Sequence, residues 1–216
     1  MENRDFFDIL IRLGHIILAL NVFLYFKSYR NKTVAFKIIA FYLLYVLIIQ
    51  LRMSYLASSK TNNLIYTHFY FTGQLLFLSF FFIKEFKNEL LSTIIKIYLT
   101  LVLISLAIYY YLFPETLDKH NIYEVLATSI PLIVYSFTFL IRKIDDSNKN
   151  FIYLNSGLFL YILCSTLIFI TGNFKADIKI YLWYFNVSLY LIYQLLTTLE
   201  WFKNFRKPKL LATKDV

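Results

Sequence analysis

FIYLNSGLFLYILCSTLIFIT, residues 151–171, holds no charged side chain and no proline. About 20 apolar residues in a row are what an α-helix needs to cross a hydrocarbon layer of ~30 Å. Lipid offers no partner to a bare backbone, so such a run must satisfy its own N–H and C=O groups, which a helix does within one segment. The stretch therefore reads as a membrane-spanning helix.

On either side of it, six further runs of similar length and character appear: 6–26, 34–56, 64–83, 91–113, 123–141 and 180–202. Between them lie short connectors rich in charge and helix-breaking residues: 27–32, 57–63, 84–89, 114–120, 142–150 and 172–177. The expected fold is all-α, a polytopic membrane bundle of about seven helices joined as hairpins. Spans of a β-barrel would alternate apolar and polar residues over about 10 positions, and these runs do not. The chain divides into one transmembrane domain over 1–202 and a basic tail over 203–216.

Composition agrees. Of 216 residues 59% are hydrophobic and 16% charged, against about 25% charged in soluble domains. The connectors are too short to bury a separate core. Cys164 is the sole cysteine, which excludes an intrachain disulfide and a thiolate metal cluster. The net charge of +9 does not read as a nucleic-acid footprint, because the basic residues punctuate the apolar runs instead of forming a stripe. They read as topology signals and contacts to anionic lipid. Residues 1–5, with Glu2, Arg4 and Asp5, lack the basic excess of a cleavable leader, so the first run is expected to remain as a span.

Loops rich in Lys and Arg resist translocation. Of the 22 such residues, 15 fall on the side of connectors 27–32, 84–89 and 142–150 and the tail. That side is expected in the cytoplasm and the N-terminus outside, in a bacterial inner membrane. Tyr109, Tyr110, Tyr111, Trp183, Tyr184 and Trp201 lie near span ends, where amphipathic rings rest among headgroups, and most of the aromatic content reads as anchoring and packing.

Ionisable groups within hydrocarbon cost at least ~2.5 kcal/mol each on insertion scales, so they carry the most information. Asp5, Asp8, Arg12 and His15 share one face of the first run. Gln50 and Arg52, Thr67, His68 and Gln74, Glu124 with Thr128 and Ser129, and Asn186 with Ser188 fall in the outer halves of other runs. Two readings compete: interhelical hydrogen bonding with snorkelling to the interface, or one outward-facing pocket. The pocket reading takes Asp8, Arg12, His15, Arg52, His68, Gln74, Glu124 and Asn186 as ligand-binding residues, the arginines holding an anion. Toward the inner side, Asn155, Gln194 and Glu200 would join the last two spans. Pro131 would kink the fifth span, with the Thr128 and Ser129 hydroxyls serving the carbonyls it frees. Gly14, Gly73 and Gly157 permit close helix approach.

His15, His68 and His120 lack the i, i+4 pairing of metal sites, and no cofactor is expected. A nucleophile elbow, a phosphate loop and paired hydrolase carboxylates are missing, so no catalytic residue is assigned.

YLNSGLFLY at 153–161 and WYFNVSLYLIYQLL at 183–196 resemble the last spans of small seven-span bacterial membrane proteins found with sensor histidine kinases. The resemblance covers about the final third of the chain, and no kinase core follows Trp201. It implies a sensory or regulatory role with a membrane or cytoplasmic signalling partner, and carries over no ligand and no binding residue; membrane lipid is the other expected partner, and association between copies stays open. A small transporter or channel subunit is the alternative, and a lipid-modifying enzyme using His68, Glu124 or His120 is the second.

Overall fold

In the computed structural model the described residues are 2–170 and 176–206, with side chains described over 7–170 and 181–206. The side chain of Asp5, the connector from 171 to 175 and the tail beyond Arg206 lie outside that set. Seven α-helices are described: α1 (Glu2–Lys27), α2 (Val34–Ser58), α3 (Leu64–Phe86), α4 (Glu89–Leu112), α5 (Ile122–Asp145), α6 (Ile152–Ile170) and α7 (Ala176–Glu200). Each coincides with one apolar run.

Their ends follow from local chemistry. Thr33, Asn88 and Asn121 each accept a bond from the backbone N–H three residues on, at Phe36, Leu91 and Glu124, and so start α2, α4 and α5. Lys87, with φ 48°, ends α3 in the left-handed conformation. α7 runs into a π-helical turn, Trp201–Phe205.

Among the described residues, six helices, all but α7, are long and apolar enough to cross a membrane. The chain is a multi-pass membrane protein. α7 has the length, 25 residues, but buries a largely polar face and turns Phe185, Ile192 and Leu195 outward.

Helix contacts close a ring in the order α1, α2, α3, α5, α6, α7 and back to α1, and α4 lies outside it against α3 and the edge of α5. Only Ile95, Leu99 and Val102 of α4 are buried. The interior is aromatic: Tyr25 stacks on Phe36, and Phe81, Phe82, Phe139 and Phe151 pack edge to face. Large apolar residues on the outside, such as Ile16, Phe23, Leu101, Val134, Leu167 and Leu195, are where lipid would solvate them.

Two ends can be distinguished. At one, Lys32 Nζ donates to the Phe205 carbonyl (3.0 Å) and Trp201 Nε1 to Ser28 Oγ (2.9 Å), gathering the α1–α2 turn and the end of α7. At the other, Asn62 Nδ2 donates to Asp118 (3.0 Å), tying the α2–α3 turn to the α4–α5 connector.

Pro131 sits inside an unbroken α5. Lacking an N–H, it leaves the carbonyl of Ala127 without its helical donor. Tyr98 of α4 supplies one, its hydroxyl 2.9 Å away. Thr128 Oγ1 instead bonds the carbonyls of Glu124 and Val125, so the sequence expectation named the wrong donor.

Candidate functional site

At the end away from the Lys32–Phe205 contact, His68 of α3 and Glu124 of α5 form a buried ion pair through His68 Nδ1 and Glu124 Oε2. Glu124 is 1% exposed. The α5 first turn places it, Asn121 capping its backbone N–H at 3.2 Å. The carboxylate also accepts from Tyr110 of α4 (2.8 Å) and from Thr72 of α3 (3.3 Å). Asn121 Nδ2 donates to the Tyr110 hydroxyl (3.3 Å).

The backbone carbonyl of Leu117, 3.2 Å from His68 Nε2, fixes the tautomer logic. A carbonyl only accepts, so Nε2 carries the proton. The proton between Nδ1 and Glu124 then belongs to an imidazolium beside a carboxylate or to a carboxyl beside a neutral imidazole. Both forms are neutral overall, and gaining or losing one proton makes the site charged. Breaking such a buried pair costs about 3–5 kcal/mol, because it leaves one charge uncompensated.

A surface depression beside the pair is lined by Thr67, Lys119, His120 and Asn121 together with Leu64, Phe71 and Val125, and is too tight to admit a water molecule. Three elements meet here: α3, α5 and, through Tyr110, the peripheral α4.

The other residues expected in this pocket lie elsewhere. Gln74, one face round on α3, donates to Tyr42 of α2 (3.1 Å). Asn186 accepts from Ser165 of α6. Asp8, Arg12 and Arg52 are exposed on the outside of α1 and α2, and His15 is half-buried. Asp8 and Arg12, four residues apart, make no ion pair among the described residues. The described residues hold no group of three or more His, Cys, Asp or Glu placed to bind a metal. Of the inner-side residues, Asn155 pairs with Ser136 (2.7 Å) across α5 and α6, and Gln194 accepts from Asn21 (2.9 Å) across α1 and α7. Of these three residues, Glu200 is the one that joins the last two helices, its carboxylate accepting from the backbone N–H groups of Phe151 (2.6 Å) and Tyr153 (2.9 Å) at the start of α6.

Sequence reasoning missed a second cluster. In the middle of the ring, Tyr161 of α6 stacks on Tyr193 of α7, meets Tyr190 edge to face, and has its hydroxyl 3.4 Å from that of Tyr70. Tyr190 donates to Gln50 (3.0 Å). Glycines make the room. A Cβ on Gly157 would stand 3.0 Å from the Tyr193 Cα, and one on Gly14 would stand 3.2 Å from the Tyr190 ring. The signal was available: Tyr42, Tyr161, Tyr190 and Tyr193 lie deep within their runs, not at the ends where anchoring rings belong.

Compared with known protein families, curated proteins and solved structures, the chain matches none.

Proposed function

We propose that the protein is a sensory or regulatory module of a bacterial inner membrane, crossing it seven times with the N-terminus outside, that converts a change at its outer face into a change of helix packing read by a partner. The observation that carries this reading is that the buried His68–Glu124 pair also holds Tyr110, and so tethers the one helix outside the ring.

α4 has few buried side chains, and its other polar tie is the Tyr98 bond to Ala127. An element held by a few polar contacts has a low cost of local opening. A stimulus shifts such an equilibrium by its differential affinity for the two arrangements. α3 presents His68 and Thr72 to this site and Tyr70 and Gln74 to the tyrosine cluster, so a shift of α3 reaches α7 as well.

The proton is the stimulus that needs no open cavity. Besides His68 and Glu124, the titratable or charged groups at the site are Tyr110 from α4 and Lys119 and His120 from the connector. The test is a distance measurement between spin labels on α4 at Ile108 and on α5 at Ile130, in protein held in lipid nanodiscs, over roughly pH 5 to 8. A pH-dependent separation that disappears in Glu124→Gln is expected. An α4–α5 distance indifferent to both pH and the substitution would remove this reading.

A further inference from the structure

From Asn186 onward, the buried positions of α7 are Asn186, Tyr190, Tyr193, Gln194, Thr197 and Glu200, and none is purely aliphatic. Phe185, Ile192 and Leu195 of the same helix face outward, while Leu189 is partly buried against the core and Leu196 packs beside Gly157 of α6. An outward apolar face is ordinary in lipid, and the departure is that the inward face carries so many hydrogen-bonding side chains. The inward face spans about 21 Å at 1.5 Å per residue, most of a hydrocarbon layer.

Hydrogen-bonding side chains continue this face on both sides. Gln50 meets Tyr190 near one end. Tyr42 stands near Tyr193 and is bonded by Gln74. Asn21 Nδ2 donates to Gln194 Oε1, and Thr198 Oγ1 donates to Asn21 Oδ1 (2.7 Å). The Tyr25 hydroxyl donates to the Thr197 carbonyl (3.3 Å) and lies within electrostatic reach of Glu200. Yet Tyr193 Oη and Gln194 Nε2, fully or nearly fully buried, make no well-formed hydrogen bond among the described residues, although Tyr42 and Thr197 lie close to the first and Tyr190 to the second. Orphaned donors in a membrane interior are costly, and polar sites of this kind hold ordered water.

We propose that the inward face of α7 is a hydrated proton path leading from Gln50 and Tyr190 past Tyr193 and Gln194 to the carboxylate of Glu200. Hydroxyls and the intervening waters carry the proton. Each accepts one on a lone pair as it releases its own, and the carboxamides of Asn21, Gln50 and Gln194 hold the water in line. Glu200 takes up the proton as a carboxylic acid and returns it to water at the exposed turn between α5 and α6, where Asn204, bonded to Glu200, also reaches the Lys149 carbonyl. One proton crosses, driven by the membrane potential, and no group is left altered. This path is separate from the sensory reading, since it involves neither His68 nor Glu124.

The experiment is proton entry into proteoliposomes that enclose a pH-sensitive dye, under a potassium diffusion potential set by valinomycin. Entry several-fold faster than into protein-free vesicles is expected. Tyr193→Phe, which removes only an oxygen, and Glu200→Gln should each bring it close to the protein-free rate, with elution volume and helical circular dichroism unchanged. Wild-type entry no faster than that of empty vesicles would overturn the proposal. So would a Tyr193→Phe protein that conducts at the wild-type rate, and that variant decides the matter even if Glu200→Gln fails to fold.

Discussion

Tyr98 and Pro131 illustrate how one residue's defect is repaired by another helix. The Ala127 carbonyl loses its donor because Pro131 has no N–H, and the Tyr98 hydroxyl replaces it. Tyr98→Phe should therefore cost about 1 kcal/mol in an otherwise unchanged protein, the net worth of a hydrogen bond. In a Pro131→Ala background the restored N–H serves the same carbonyl, and the cost of Tyr98→Phe should fall toward zero. Thermal unfolding of the four proteins in detergent measures this coupling, and additive losses would sink the assignment. At the buried pair the scale is larger. His68→Ala strands a carboxylate that is 1% exposed, for a loss of about 3–5 kcal/mol. Glu124→Gln should cost less, because it leaves no buried charge and its amide oxygen can still accept from Tyr110, while Thr72, which donates to the other carboxylate oxygen, loses its acceptor. If the two variants melt alike, the uncompensated charge is not what matters.

At the scale of the element, α6 depends on a residue some fifty positions away. Its start has no side-chain cap of its own, and the Glu200 carboxylate on α7 takes that role for the N–H groups of Phe151 and Tyr153. Phe151, with φ 67°, turns the chain into the helix. Loss of such a cap costs about 0.5–2 kcal/mol. Glu200→Ala should thus raise amide exchange at 151–154 while leaving the middle of α6 protected, and uniform protection would argue against the cap. The neighbouring turn is held by Lys143, whose Nζ donates to Asp146 (2.8 Å) and to the Asn148 carbonyl (2.8 Å). The Lys143 ammonium holds the exposed Asp146 carboxyl below its ordinary range. A depressed carboxyl contributes stability above its unfolded value and loses it as pH falls through the folded one. The difference in melting between wild type and Asp146→Asn should therefore be small and salt-sensitive, present near neutral pH and lost as acid protonates the folded carboxylate. The elements themselves were legible in the sequence because the bilayer enforces a length of apolar chain, and the charged and helix-breaking connectors mark where each one ends. The convergence of side chains was not. Arg12 and Gln74 both lie at polar positions within apolar runs, yet one faces outward from α1 and the other bonds Tyr42. Which way a helix is rotated depends on neighbours that hydropathy does not specify. α7 shows this most sharply, since its apolar face looks outward and only contacts across the ring reveal it.

For the molecule as a whole, the ring of six helices with α4 outside constrains the topology, because the helix ends are tied to one another. Lys32, Trp201 and Glu200 join the α1–α2 turn, the α5–α6 turn and the end of α7 at one face, so these segments must share a side of the membrane. Among the described residues, 12 of the 18 basic ones lie toward that end of the helices, and positive charge flanking short loops is retained on the cytoplasmic side. The opposite face carries the His68–Glu124 site, and the inward face of α7 connects the two. With Cys164 replaced by alanine, a cysteine placed at Asn62 should react with a membrane-impermeant maleimide in intact cells, whereas one at Asn148 should react only after permeabilisation. Since both turns are exposed, the pattern reports sidedness and not burial. The reverse pattern would put the ion pair at the inner face. The chain would then have to be driven by internal chemistry, and the proton path would run outward from Glu200. The same geometry supports either direction of travel, but only the basic face in the cytoplasm lets the membrane potential, negative inside, draw protons from Gln50 toward Glu200.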